Sequence, residues 1–526
     1  MLIGCDSTNS TLELSQPVHP PAAFNIVDIS SEGNDVRFTW STSEVVSQSS
    51  SKYTVCIKEL SKEDQCTPLA TGFNVNSLLV TSLSPLSAIE HEFFVIHENA
   101  AGSVSSNEET LSSNVVTNII QYLKASNSGN NLANGDKFSS GISLSGDGLT
   151  LAIGAPEEDS DALGVNGDKH NEIRSNSGAV YIYRYDNGRW IETDYIKSSG
   201  AEIDAFFGKA LELNHDGSRL VVGADAESSF EGAAYVYYFD GYSWTEEAHL
   251  KAPTPTSGDS FGENVTIDAD GETLAIGSKY ADSWKGKSYI FTRSGNSWSL
   301  EKELSITPVQ SNGVFGDTVN LSDDGKLLAV SSPGDNTNAT SNGAIYLYRK
   351  VNGNWVNEAQ LLTSNKNRSL NSGFSMTLSG DGRTIASSTM QTNSGGTIFL
   401  FTYDGASWSE TGTLQAPNKM KTDRFGFSLD LNHDGSALAV GATYENSDFT
   451  GINGEKDSNA NQSGAAYIFK NSNGIWQHNH HIKASNTGNG DEFGYSVSLT
   501  SDGDHLAVGA INEDEYSTNS GAVYIY

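Results

Sequence analysis

The sequence predicts an all-β fold: a small β-sandwich over about residues 20–117, then a seven-bladed β-propeller over 118–526. Three observations carry this. Helical periodicity is nearly absent, and short alternating apolar runs are broken by Gly, Asn and Asp turns. A D-G pair recurs at Asp147, Asp216, Asp270, Asp324, Asp381, Asp434 and Asp502, in steps of 69, 54, 54, 57, 53 and 68 residues. A Trp closes each of the first six units, at Trp190, Trp244, Trp298, Trp355, Trp408 and Trp476.

The units are in phase. Residues 207–224, FGKALELNHDGSRLVVGA, align without a gap on 493–510, FGYSVSLTSDGDHLAVGA. Each begins aromatic-Gly, alternates apolar residues, turns at D-G and ends on an apolar run. The second unit then offers AAYVYYF, a G-Y-S-W turn and TEEAHLKA, which makes four strands in an antiparallel meander. One such sheet buries little surface alone, so several must pack side by side, and units of this length read as propeller blades.

The seventh unit supplies three strands, ending on SGAVYIY (520–526). The first strand of the array, IIQYLKASNSG (119–129), matches a fourth strand, as in HHIKASNTG (480–488). The N-terminal strand is therefore expected to complete the last blade. Loop-closure entropy grows only logarithmically with length, and burying Ile119, Ile120, Tyr122 and Leu123 outweighs it.

The copies resemble FG-GAP repeats of the integrin α-subunit propeller and its bacterial relatives. The residues carrying the resemblance are Phe207-Gly208, Phe261-Gly262, Phe315-Gly316, Phe425-Gly426, Phe493-Gly494 and the whole motif Gly154-Ala155-Pro156. The resemblance covers about 120–526 and implies a seven-bladed ring used for adhesion or ligand binding on one face. The calcium loops of that family are mostly absent, since the D-G turns carry single carboxylates among serines, and these turns read as plain hairpins.

Residues 20–117 hold about seven short strands, with Trp40 in the second, and suggest a sandwich. The stretch LSPLSAIEHEFFVIHENAAGSVS resembles the fibronectin type III signature, with His91 at the usual corner Tyr. Cys56 and Cys66 lie across a short hairpin and are expected to form a disulfide, with Cys56 on the outer face of its strand. Residues 1–19 read as a start and polar tether in which Leu2-Ile3-Gly4-Cys5 resembles a bacterial lipobox, making Cys5 a lipidation site and the protein a cell-envelope lipoprotein or an extracellular one.

With 31 basic against 65 acidic residues the formal charge is −34. Nucleic acid and anionic lipid are excluded as partners on this charge, and a membrane is reached only through the lipid anchor. The two long steps come from loops 156–178 and 443–464, which share an S-D-x-x-G-[VI]-N-G-[DE]-K pattern. Their acids Glu157, Glu158, Asp159, Asp161, Asp168, Glu445, Asp448, Glu455 and Asp457, with Glu513, Asp514 and Glu515 between, are the candidate patch for a cation or a cationic partner. No cofactor is required, and calcium is the ion such oxygens would hold. No G-x-S-x-G, H-E-x-x-H or P-loop motif occurs. The expectation is a monomeric, non-catalytic recognition or adhesion protein for a protein or carbohydrate ligand. The alternative is a propeller enzyme, hydrolase or dehydrogenase, working at the central channel. The two differ in one feature: an enzyme requires buried carboxylates or histidines converging on the channel.

Overall fold

A computed structural model describes residues 19–41, 51–58, 66–127, 135–306, 312–365, 370–389, 395–418, 420–455, 457–515 and 518–526. Cys5 and the lipobox lie outside the described residues. The chain divides into two compact units, residues 1–83 with 88–115, and 84–87 with 116–526. Among the described residues no helix is long and apolar enough to cross a membrane.

The first unit has two antiparallel sheets. One orders Ile26–Glu32, Asp35–Trp40 and Ser77–Val80; the other orders Cys66–Phe73, Lys52–Lys58, Glu92–Asn99 and Gly102–Ser105. Phe38, Trp40, Val55, Phe93 and Val95 fill the space between them. Cys56 and Cys66 are bonded, with S–S 2.02 Å. Cys56 is fully buried. Its ladder to Glu92–Asn99 runs without a slip, so it faces opposite to Val55 and Ile57 as expected, and the extra residue at the register shift, Leu69, lies on the partner strand.

Among the described residues the second unit contains seven antiparallel sheets that follow one another along the chain, consistent with a β-propeller. Five are contiguous four-stranded meanders, whose inner strands are Ile142–Leu144, Leu211–Leu213, Asn264–Ile267, Val319–Leu321 and Met376–Leu378; the sixth starts at Phe425–Leu431 and adds a fifth strand, Gly451–Ile452, outside Ile475–Lys483. The seventh joins Phe493–Leu499, Leu506–Ala510 and Ala522–Ile525 to Gln121–Leu123 from the start of the unit. Leu123 pairs with Val523, Tyr122 with Tyr524 and Gln121 with Ile525. Gln121 also accepts from the Trp190 N–H and donates to the Gly188 carbonyl, tying this strand to the first sheet.

The F-G pairs are explained by the joints between sheets. Phe207 packs edge-on against Tyr235 at 5.5 Å while its backbone bridges Gly178 of the preceding sheet. Gly208 (φ 95°) sits so near the Ala179 carbonyl that a Cβ would overlap it, so this joint requires glycine. The D-G turns are stitched as well. One ring of backbone hydrogen bonds links all seven: Asp147 N–H to the His215 carbonyl, His215 to Ala269, Ala269 to Asp323, Asp323 to Gly380, Asp381 to His433, His433 to Ser501, and Ser501 back to Gly146.

Candidate functional site

The inner strands enclose a central cavity of about 220 Å³. At its waist each strand contributes one polar residue: Ser143, Glu212, Thr266, Asn320, Thr377, Asp430 and Ser498. Six of these side-chain oxygens accept a backbone N–H of the next sheet. Ser143 accepts from Leu213 (2.9 Å), Glu212 from Ile267 (3.4 Å), Thr266 from Leu321 (3.2 Å), Thr377 from Leu431 (3.2 Å), Asp430 from Leu499 (2.7 Å) and Ser498 from Leu144 (3.0 Å). Burial pushes Glu212 up to about 8, against the Ile267 N–H and with help from Asp430. Burial likewise raises Asp430 to about 7, against the Leu499 N–H. Both carboxyls touch the cavity yet are enclosed by protein, and enclosure sets their proton affinity. At the turn end Asp323 reaches across to His433 (2.5 Å).

The opposite mouth is built from the third residue of each strand entry, which is F-G-x in five sheets, F-S-S in the first and S-G-F in the fifth. Around the ring these are Ser140, Lys209, Glu263, Asp317, Phe374, Phe427 and Tyr495. One arc is charged. Lys209 bridges Asp225 (2.9 Å) and Glu263 (3.2 Å), and Lys279 bridges Glu263 (2.8 Å) and Asp317 (3.0 Å). The other arc is aromatic, with ring centroids of Phe374 and Phe427 5.9 Å apart and of Phe427 and Tyr495 5.0 Å apart. A cavity of about 370 Å³ lies at the junction, lined by Lys137, Glu157, Phe206, Lys209, Glu492 and Tyr495 among others. Burial raises the Tyr495 hydroxyl, and the charges of Lys209, Glu492, Glu157 and Glu263 all reach it. A half-apolar cavity with a few convergent charges is the ordinary form of a small-ligand site.

Three of the acids singled out in the sequence face lysines rather than solvent. Glu158 is buried against Lys197 (2.6 Å), Glu445 against Lys483 (3.1 Å) and Glu513 against Lys124. They are counter-ions inside three sheets, and in the seventh the lysine comes from the N-terminal strand. Burial lowers all three lysines, against their glutamates. Asp159 accepts the Asn176 N–H, Asp168 the His170 N–H and Asp457 the Asp448 N–H, so these order their own loops. Glu515 accepts from the Asn486 amide. Asp161 is half-buried, and Asp448, Glu455 and Asp514 are exposed. Only Glu157 faces the cavity. Among the described residues no group of three or more His, Cys, Asp or Glu side chains could hold a metal ion. The residues at the mouth escaped sequence reading, although the F-G-x spacing marked them: Lys209, Glu263 and Asp317 stand 54 apart, as do Asp225 and Lys279.

The FG-GAP repeat family model matches residues 244–291, 408–469 and 476–526, so the chain carries FG-GAP repeats in these regions. Among solved structures, a putative 6-phosphogluconolactonase of Bacteroides fragilis is 12% identical, with 84% of this chain and 98% of that chain covered and a TM-score of 0.42. One from Bacteroides uniformis is 10% identical, with 83% and 97% covered and a TM-score of 0.41. The periplasmic gluconolactonase of Pseudomonas aeruginosa is 12% identical, with 83% and 98% covered and a TM-score of 0.42. Three of these similar structures bear the names of lactonases, against the sequence expectation of a non-catalytic protein.

Proposed function

We propose that the seven sheets are the blades of one closed propeller and that the protein is an enzyme of the hydrolase class working at the loop-side mouth of the channel. One observation carries the reading: of seven equivalent strand-entry positions, three form a charged arc and three an aromatic arc around one opening, with Ser140 between them. Half-buried carboxyls with raised proton affinity line the channel behind it, at Glu212 and Asp430, which favours the enzyme alternative over a plain recognition ring. An aromatic wall facing ionic groups suits a small polar molecule with an apolar face, such as a sugar derivative.

Closure is supported by the strand at 121–123 pairing with 523–525 and by the unbroken backbone ring through the turns. The strand order of the first unit supports a fibronectin type III-like sandwich. The Cys56–Cys66 bond supports an exported protein, since such bonds persist in oxidising compartments. The long loops support a second role, recognition of a protein or carbohydrate carrier, because Leu163 and Ile173 stand exposed on one of them.

The test is turnover. The full chain should be offered a panel of glycosides, sugar esters and sugar lactones, beside Phe427→Ala and Tyr495→Ala. Hydrolysis that falls at least tenfold in kcat/KM in both variants is expected. Hydrolysis undisturbed by both would remove the mouth as the site.

A further inference from the structure

At the mouth, three carboxyls and two ammonium groups alternate in a chain: Asp225, Lys209, Glu263, Lys279, Asp317. The count leaves one negative charge in excess in a poorly hydrated place, where an uncompensated charge is costly and proton uptake relieves it. One atom is singled out to take that proton. Asp225 is 4% exposed, its Oδ2 accepts from Lys209, and its buried Oδ1 has no hydrogen-bond partner. Lys209 holds the Asp225 and Glu263 carboxyls against one ammonium group, and a proton shared between two carboxyls so placed satisfies an oxygen of each.

We propose that Asp225 carries this proton, shares it with Glu263, and is the proton donor to the leaving oxygen of a substrate seated at the mouth. The role given to the substrate rests on the hydrolase reading above; the shared proton does not. Burial first, then the Glu263 carboxylate, raise Asp225 to about 7. Glu263 is held below the usual carboxylate range, its own burial being outweighed by the bond with Asp225 and by Lys209 and Lys279. Asp317 is raised by its burial, against Lys279. Two neighbouring carboxyls pushed apart in this way divide into acid and base. In hydrolysis the Asp225 O–H bond breaks as the bond from substrate carbon to leaving oxygen breaks. Water then adds its hydroxyl to that carbon and returns its proton to Asp225.

The experiment is carboxyl-selective infrared and ¹³C NMR titration of the full chain, wild type minus Asp225→Asn. A protonated-carboxyl signal that titrates near neutral pH and vanishes in Asp225→Asn is expected. In Glu263→Gln the Asp225 titration should move to lower pH, because the neighbouring charge is gone. A difference spectrum without such a signal, a signal that disappears instead in Asp317→Asn, or an unmoved titration in Glu263→Gln would each overturn the assignment. Asn mimics the protonated acid, so Asp225→Asn should fold. With a substrate in hand, Asp225→Asn should lower kcat about 100-fold or more, and Glu263→Gln should move the basic limb of the pH profile to lower pH. If no substrate is ever turned over but the spectra behave as described, the hydrolase reading falls and the shared proton stands.

Discussion

The seven inner strands have two ends, and the ends are built by different means. At the turn end the repeat is kept: the D-G hairpins are held by Asx bonds such as Asp216 to the Ser218 N–H and Asp324 to the Lys326 N–H, and the backbone closes the ring. At the loop end the backbone joints also repeat, but the side chains do not. Ser, Lys, Glu, Asp, Phe, Phe and Tyr occupy one equivalent position. The difference teaches that this fold keeps its architecture in main-chain contacts, which leaves the side chains at the loop end free to differ.

The sharpest way to break the comparison is at the loop end, where stability rests on buried charge. Lys483→Met strands Glu445 and is expected to cost about 3–5 kcal/mol, read from denaturant unfolding. Adding Glu445→Gln should recover part of that loss; a double variant as weak as the single one would show that the pair is not the cause.

At the turn end the losses should be smaller. Asp324→Ala removes bonds from the Ser322 hydroxyl and the Lys326 N–H and is expected to cost about 1–2 kcal/mol in the same assay.

Acid and base should also separate the turns from the channel. Burial notwithstanding, hydrogen bonds hold the Asp216 and Asp324 carboxyls below their ordinary value. Their contribution is therefore present above pH about 4 and lost as pH falls through the folded-state value. Glu212 is raised by burial to about 8, so its contribution is present below pH about 4 and lost as pH rises through about 8. Thermal melts of Glu212→Gln should show less alkaline loss than the wild type and the same acid loss. An unchanged alkaline limb would reject the assignment.

The smallest effect is expected at Gly380. A Cβ there would come 2.5–2.7 Å from the Asp323 carboxylate and push it from His433. Both partners are partly exposed, so Gly380→Ala should cost no more than about 1 kcal/mol through that pair.

Much of the larger unit was legible along the chain. The D-G positions, the F-G entries and the match of 119–129 to a fourth strand placed the inner strands and the pairing that the structure records. The partners of three of the acids were not legible, for a physical reason. A loop glutamate and a strand lysine carry no mark of which way they point, and Glu158, Glu445 and Glu513 turn inward to lysines 39, 38 and 389 residues away. The signal was present in the K-[AS]-S of the fourth strands, Lys124, Lys197 and Lys483, in phase with those glutamates. The mouth was missed because its residues are far apart in sequence and unlike one another.

What the sequence determined by itself is period: alternation and turn chemistry act over a few residues, so the number, order and phase of the strands are local facts written in each unit. What the tertiary structure decided is sign and company. Which carboxyl faces a lysine, which holds a proton, and which side chains share one opening depend on distances across the ring and on enclosure from water. Both arise only when units remote in sequence are brought face to face.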